Sequence, residues 1–178
     1  MFYNEKFSED IYMSVFVLRA PDLAGNINFC TNDLVNNGIA HYFWSYYDTA
    51  DLRVIREKLK YSSSQLTKEQ LITWKQGHFL LDEVKIGDWL VYINLPSFNH
   101  CISAQVIGEY YFDKDGGSLV HRDGRHCIKV NKDTIIEFDR KDSRLSGPLI
   151  RKLTYVRGAW YHLDLEKDFF DFMEKIKK

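Results

Sequence analysis

The most constraining feature of the sequence is a short apolar segment near its middle. Residues 89–95, Trp-Leu-Val-Tyr-Ile-Asn-Leu, are too apolar throughout for a strand with one face in water, and Pro96 ends the segment. Continuous apolar runs of this length are typical of strands that are covered on both faces. The segment therefore indicates a strand in the interior of a sheet.

The pattern around this segment predicts an α+β fold. Residues 13–20 form a second apolar run, which stops at Pro21 and indicates a buried first strand. Residues 22–38 are rich in Asn, Asp and Gly, and we expect a long loop there. Two helices follow, the second opened by a capping box over Thr67–Gln70, and about five or six strands and an amphipathic helix complete the chain. This order favours a compact, partly open antiparallel β-barrel flanked by helices.

Length and charge limit the classes of function. The 178 residues are predicted to form one domain over residues 13–178, after a polar leader over residues 1–12. The balance of 24 Lys and Arg against 25 Asp and Glu argues against a general phosphate-backbone binder, whose affinity needs many cations. The N-terminus has no secretory signal, no apolar run approaches a membrane span, and three cysteines form no even disulfide framework. We therefore expect a cytoplasmic protein without membrane contact.

The sequence contains none of the common catalytic motifs, so we expect a protein that is not an enzyme and needs no cofactor. The best candidate for a metal site is the set His100–Cys101, His121 and His126–Cys127. Adjacent residues of a strand point to opposite faces, so at most one residue of each pair could bind a metal ion. We predict no metal site, and an enzyme that acts through these histidines stays the weakest alternative.

The densest cationic segment covers residues 121–126, His-Arg-Asp-Gly-Arg-His, and is reinforced by Lys129. Arginine presents a planar fork of donors that suits phosphate, so Arg122, Arg125 and Lys129 are candidate phosphate-binding residues. The alternative is a solvated hairpin that turns at Asp123–Gly124. The residues by themselves favour neither interpretation.

Aromatic residues make up 15% of the chain, and several are concentrated at residues 42–47, Tyr-Phe-Trp-Ser-Tyr-Tyr. Aromatic side chains can sandwich a nucleobase, and each stacking contact is worth roughly 1–3 kcal/mol. The alternative for any single ring is a structural place in the core. That alternative is less satisfactory for the whole cluster, because each buried tyrosine needs a partner for its hydroxyl group.

Three segments taken in order resemble the EVE-type domains of the PUA-like superfamily, which are relatives of the YTH and ASCH domains. The segments are Lys85-Ile-Gly-Asp-Trp-Leu-Val-Tyr92, Gln105-Val-Ile-Gly-Glu-Tyr-Tyr-Phe112 and His121-Arg-x-x-Arg-His-x-x-x-Val130. The resemblance extends over about residues 13–163 and is greatest to the versions found in modification-dependent restriction systems. It differs at Phe43, where these domains carry a glycine, and at Asn131, where a tryptophan often stands.

The resemblance implies a partly open barrel with an aromatic pocket that accepts a base, often a modified one, flipped out of DNA or RNA, and DNA is the favoured partner. Such domains are readers and not catalysts, and a protein partner from a defence or regulatory system is implied as well. Carried over by position, the base-binding pocket would comprise Arg19, Trp44, Ser45, Tyr46 and Asn94. Arg122 and Arg125 would contact phosphate. The alternative is a protein-interaction module that keeps the barrel and has no working base pocket.

Overall fold

The computed structural model describes residues 13–118, 122–155 and 158–177. The elements in chain order are β1 (Val15–Arg19), α1 (Ala24–Asn37), β2 (Ile39–Tyr42), α2 (Leu52–Tyr61), a 3-10 turn (Ser63–Gln65), α3 (Lys68–Gly77), α4 (Phe79–Asp82), β3 (Trp89–Ile93), β4 (His100–Val106), β5 (Tyr111–Phe112), β6 (His126–Asp139), α5 (Gly147–Thr154), β7 (Trp160–His162) and α6 (Glu166–Ile176). The α+β class is confirmed. The predicted leader over residues 1–12 lies outside the described part of the chain.

The strands form one mixed sheet that curls into a half-barrel, in the order β2-β6-β4-β3-β1-β7, with β5 paired to β6. The expectation of a purely antiparallel sheet is wrong, because β1 and β3 are parallel, with Arg19 opposite Ile93. The reason is the connection between them, since helices α1 to α4 and strand β2 intervene. Such a crossover returns the chain in its original direction, which a tight hairpin cannot do.

The sheet is covered on both faces, as the apolar run of β3 requires. All five residues of β3 are buried. Along β1, Phe16 and Leu18 belong to a core beneath helices α1, α2 and α4, whereas Val15 and Val17 belong to a second core beneath α5 and α6. Because successive side chains of a strand point to opposite faces, β1 contributes residues to two separate cores.

The prediction of a loop over residues 22–38 is wrong, because most of this segment forms helix α1. Its buried residues are Asn26, Cys30 and Leu34, which recur every four residues and so share one face. Gly38 ends the helix with φ +67°, and its N–H donates to the Leu34 carbonyl at 3.1 Å. The abundance of Asn and Asp concealed this buried stripe, since both residues also favour turns.

The capping box is confirmed, because the Thr67 hydroxyl accepts from the Gln70 N–H and the Gln70 side chain accepts from the Thr67 N–H, both at 3.2 Å. Helix α2 also forms where a helix is expected, with Asp51 as its N-cap. In the described ranges, no helix combines the length and the apolar composition that a bilayer crossing requires.

Candidate functional site

A cavity of about 510 Å³ opens where the first strand, the aromatic segment and the start of β7 meet. Its volume lies within the usual range of sites for small ligands. Its walls combine the aromatic rings of Phe43, Trp44 and Tyr46 with polar side chains. The polar side chains in the lining are those of Arg19, Asp22, Asn26, Gln76 and Asp123. Three of the predicted base-binding residues, Arg19, Trp44 and Tyr46, therefore lie around one cavity.

Trp44 occupies a strained backbone position in this wall. Its φ is +63°, in the left-handed region that bulky residues rarely adopt. Its ring is half-buried and lies 5.6 Å from the ring of Tyr42, with an angle of 37° between the planes. The Trp44 carbonyl accepts from the Thr73 hydroxyl at 2.8 Å, and Tyr47 donates to that same hydroxyl at 2.7 Å. Strain of this kind persists where the surroundings hold the backbone from several sides, and it is concentrated at functional sites.

Ser45 anchors the aromatic segment from behind the cavity. It is fully buried, and both its N–H and its hydroxyl donate to Asp123 Oδ1, at 2.7 and 2.9 Å. The Arg125 N–H donates to the Ser45 hydroxyl at 2.6 Å, and Arg125 Nε donates to the Ser45 carbonyl at 2.7 Å. Ser45 is therefore not part of the cavity lining. Its contacts fix the residues on either side, Trp44 and Tyr46, both of which line the cavity.

Arg125 lies inside the protein, where it cannot serve as a surface phosphate ligand. Only 1% of its surface is exposed, and the guanidinium packs over the ring of Phe112 at 4.8 Å. Besides Ser45, it contacts Asp48 at 3.1 Å and the Lys114 carbonyl at 3.3 Å. The predicted phosphate contact is wrong for this residue. A buried arginine with these partners joins the loop after β5 to the aromatic segment.

The remaining predicted residues lie outside the cavity lining. Asn94 has φ +63° in the turn after β3, and its side-chain oxygen accepts from the Asn99 N–H at 3.4 Å. Lys129 is exposed on β6, opposite Ile39. Arg122 is also exposed, donates to the Lys114 carbonyl at 3.1 Å and directly precedes Asp123 of the cavity wall. Arg122 and Lys129 therefore remain accessible to a phosphate group, whereas Asn94 does not reach the cavity.

Sequence reasoning missed four polar residues of the cavity wall: Asp22, Asn26, Gln76 and Asp123. Asn26 lies in the first turn of α1, a segment expected to be a loop. Gln76 lies near the end of α3, and Asp123 was considered only as a turn residue. No local motif marks these residues, because the three segments meet only once the sheet has curled.

A fully buried histidine lies directly beneath the aromatic segment. His126 begins β6 and pairs with Tyr42 of β2. Its Nδ1 forms a hydrogen bond with the Tyr110 hydroxyl at 2.9 Å, and that hydroxyl accepts from the Leu52 N–H at 3.2 Å and lies 3.5 Å from Asp51 Oδ1. Burial lowers the pKa of His126 to about 3, an effect only partly offset by the Trp44 carbonyl and by Asp51. The imidazole is therefore neutral near pH 7.

Of the candidate metal ligands, His121 lies outside the described residues. Within the described ranges, no group of three or more His, Cys, Asp or Glu side chains could hold an ion. His41 instead joins three elements: it pairs with Asp33 of α1, donates to the Gly124 carbonyl at 2.6 Å and lies 3.5 Å from the Cys127 sulfur. Burial raises the pKa of the Cys127 thiol to about 12. This thiol is a structural group and not an activated nucleophile.

No protein-family model matches the sequence, and a search of curated proteins gives no match either.

Proposed function

We propose that this chain is a PUA-like binding module that accepts a flipped nucleobase, with a modified base of DNA as the favoured ligand, and that it acts as a reader and not as an enzyme. The observation that carries the proposal is the cavity of about 510 Å³ with Phe43, Trp44 and Tyr46 in its walls. Phe43 is buried, whereas Trp44 is partly exposed and Tyr46 is exposed, and such accessible rings beside a cavity provide the π faces on which a base can stack. The resemblance to EVE-type domains supports the same function.

The electrostatics of the surface agree with recognition of one base and not of a long backbone. The net charge is −1, and of the three predicted phosphate ligands only Arg122 and Lys129 are exposed. Each neutralised phosphate of duplex DNA changes the slope of log K against log salt by about −0.9. We therefore expect a shallow salt dependence, with a slope no steeper than about −3 even if Arg19 at the cavity contributes.

A fluorescence titration tests the proposal. Short duplexes with unmodified, methylated or hydroxymethylated cytosine, or with methylated adenine, are added to the protein, and quenching of tryptophan emission reports stacking. We expect saturable quenching with at least one modified duplex. Trp44→Ala should abolish that binding, and Trp44→Phe should retain part of it because a stacking face remains.

The matched control is Tyr61→Ala, which removes an aromatic ring that is 78% exposed and lies on α2 away from the cavity. This variant should bind like the wild type. Unfolding of the Trp44→Ala variant would mean that Trp44 is a core residue and that the pocket assignment is wrong. No response to any duplex or single strand would favour the alternative of a protein-interaction module, which a pull-down would then examine.

A further inference from the structure

One largely buried arginine has no carboxylate partner. Arg140 directly follows β6, and only 5% of its surface is exposed. Within the described part of the chain its guanidinium makes one hydrogen bond, from Nη2 to Asn99 Oδ1 at 2.7 Å, and no salt bridge. The buried Arg125, in contrast, is paired with Asp48. A buried charge is costly unless an opposite charge compensates it, so the surroundings of Arg140 favour an anionic ligand.

The carboxylates next to Arg140 in the chain have other partners. Asp139 precedes it, and its Oδ1 accepts from the Lys141 N–H at 2.7 Å. Asp142 is paired with Arg144 at 2.7 Å. Neither carboxylate comes within salt-bridge distance of Arg140, so the positive charge is not neutralised from within its own segment.

The unused donors of the Arg140 guanidinium reach the surface. An arginine side chain has five N–H donors, of which Asn99 takes one. Nε and Nη1 have no hydrogen-bond partner among the described residues and are not closed to solvent, unlike Nη2 of Arg125. The ring of Phe98, which is 74% exposed, lies over the guanidinium with its centroid 5.1 Å from the central carbon. A ring on one face leaves the donors in the plane accessible, and these are the donors with which arginine binds phosphate.

The turn between β3 and β4 holds Arg140 in place. The Asn99 carbonyl accepts from the Arg140 N–H at 2.8 Å, while the Asn99 side chain accepts from Nη2. Asn99 has φ +72° and Asn94, at the start of the turn, has φ +63°, a conformation that asparagine adopts more readily than most residues. A guanidinium that is oriented before the ligand arrives loses little conformational freedom on binding.

This turn lies at the same edge of the sheet as the cavity. Arg19 and Ala20 line the cavity, and they lie beside Ile93, to whose carbonyl the Ala20 N–H donates at 3.1 Å. Asn94 follows Ile93 and opens the turn. Arg140 continues β6, which is three strand positions from β1, or roughly 15 Å at the usual spacing of strands. One strand of duplex DNA covers that distance in about four nucleotides.

We infer that Arg140 binds a backbone phosphate of the nucleic acid, with Phe98 and Asn99 as the residues that orient its guanidinium. The inference rests on the proposed function and deepens it. It adds a contact to the backbone a few nucleotides away from the base in the cavity, at a residue outside the cationic segment 121–126.

The contact is compatible with the shallow salt dependence expected above. Arg19 is already paired with Asp22 at 3.2 Å. The three cations that can each neutralise a phosphate are then Arg122, Lys129 and Arg140, and the slope of log K against log salt remains no steeper than about −3.

The test measures binding of the same duplexes, with unmodified, methylated or hydroxymethylated cytosine or with methylated adenine, over a range of salt concentrations. Arg140→Gln should weaken binding about tenfold or more, by the same factor whichever base is present, and should make the slope shallower by about 0.9. Arg140→Lys keeps the charge but not the planar fork, so it should lower the affinity and retain the slope. Phe98→Ala should weaken binding about two- to fivefold, also without a change of slope.

The matched control is Arg144→Gln, which removes an arginine from the same segment that is already paired with Asp142. This variant should bind with the affinity and the slope of the wild type. A slope that becomes shallower by the same amount in Arg144→Gln as in Arg140→Gln would overturn the specific role of Arg140.

A measurement on the wild type keeps the inference testable if Arg140→Gln fails to fold. Nuclear magnetic resonance follows the arginine Nε–H signals while a duplex or, separately, inorganic phosphate is added. We expect a saturable shift of the Arg140 signal with the duplex. Binding of the duplex without such a shift would overturn the inference, and a shift with inorganic phosphate alone would overturn the assignment of the ligand as nucleic-acid backbone.

The outcomes separate the inference from the proposed function. Unchanged affinity and slope in Arg140→Gln, with binding that still depends on Trp44, would overturn the inference and leave the proposed function standing. Binding that depends on Arg140 but not on Trp44 would support the inference and overturn the base pocket. Absence of binding to every duplex would overturn both.

Discussion

Replacement of His126 by asparagine should remove a large part of the acid sensitivity of this protein. His126 is fully buried, and its pKa falls from 6.5 in the unfolded chain to about 3 in the folded protein. The asparagine side-chain oxygen can still accept from the Tyr110 hydroxyl, but the side chain does not titrate. The substitution therefore removes the titration at this position and retains the hydrogen bond to Tyr110.

The direction of the pH dependence of stability follows from whether the folded or the unfolded state binds the proton. Between pH 6.5 and about 3 the unfolded chain is protonated at His126 while the folded protein is not. Stability is therefore fully present above pH 6.5 and falls as the pH is lowered through this window. One proton taken up on unfolding corresponds to about 1.4 kcal/mol per pH unit, so roughly 2–3 kcal/mol is lost between pH 7 and pH 4.5.

Urea denaturation at a series of pH values measures the free energy of unfolding, and a constant m value verifies that the unfolded state is comparable. The wild type should lose stability over this range. His126→Asn should be less stable near pH 7, but its free energy of unfolding should fall less steeply with decreasing pH, by the slope that corresponds to about one proton. His162→Asn is the control, because that side chain is 45% exposed. Equal slopes in the wild type and His126→Asn would refute the reasoning. The carboxylates with lowered pKa, such as Asp33 and Asp51, also lose their stabilising effect as the pH falls, but they do so in both proteins, so the difference between the two slopes reports His126.

Two further predictions concern stability and reactivity. Thr67→Ala should destabilise the protein by about 1 kcal/mol in urea denaturation, because it removes the hydroxyl of the capping box of α3, and an unchanged midpoint would contradict this role. All three cysteines are buried with raised pKa values, about 12 for Cys101 and Cys127 and higher for Cys30. A colourimetric thiol reagent near pH 8 should therefore react with none of them in the folded protein and with all three in denaturant, and rapid labelling of the folded protein would contradict their burial.

Local patterns predicted the elements in which one signal dominates. The apolar runs of β1 and β3 and the capping box of α3 depend on contiguous residues, so the sequence displays them directly. Helix α1 could not be identified in this way, because its polar composition favours turns while its stability comes from a stripe of three residues packed against the sheet. Tertiary burial there overrides local preference.

The candidate site also contains some residues that the sequence indicated and others that it could not indicate. Trp44 and Tyr46 stand out in an aromatic segment, and Arg19 closes a strand, so a positional resemblance could locate them. The burial of Arg125 could not be read from its cationic neighbours, because it depends on Ser45 and Phe112 being brought around it. Asn26 and Asp123 are almost a hundred residues apart in the chain, and the pairing of β2 with β6 brings Asp123 against the aromatic segment of the same cavity.

The most direct test of the account is a nuclear magnetic resonance titration that follows the indole N–H signals of the four tryptophans. Trp44 lines the cavity, whereas Trp89 is 6% exposed and lies in the second core beneath α6, so it serves as an internal control. On addition of an oligonucleotide with one 5-methylcytosine, we predict a saturable shift of the Trp44 signal and no shift of the Trp89 signal. Binding that leaves the Trp44 signal in place would contradict the claim that a base enters this cavity.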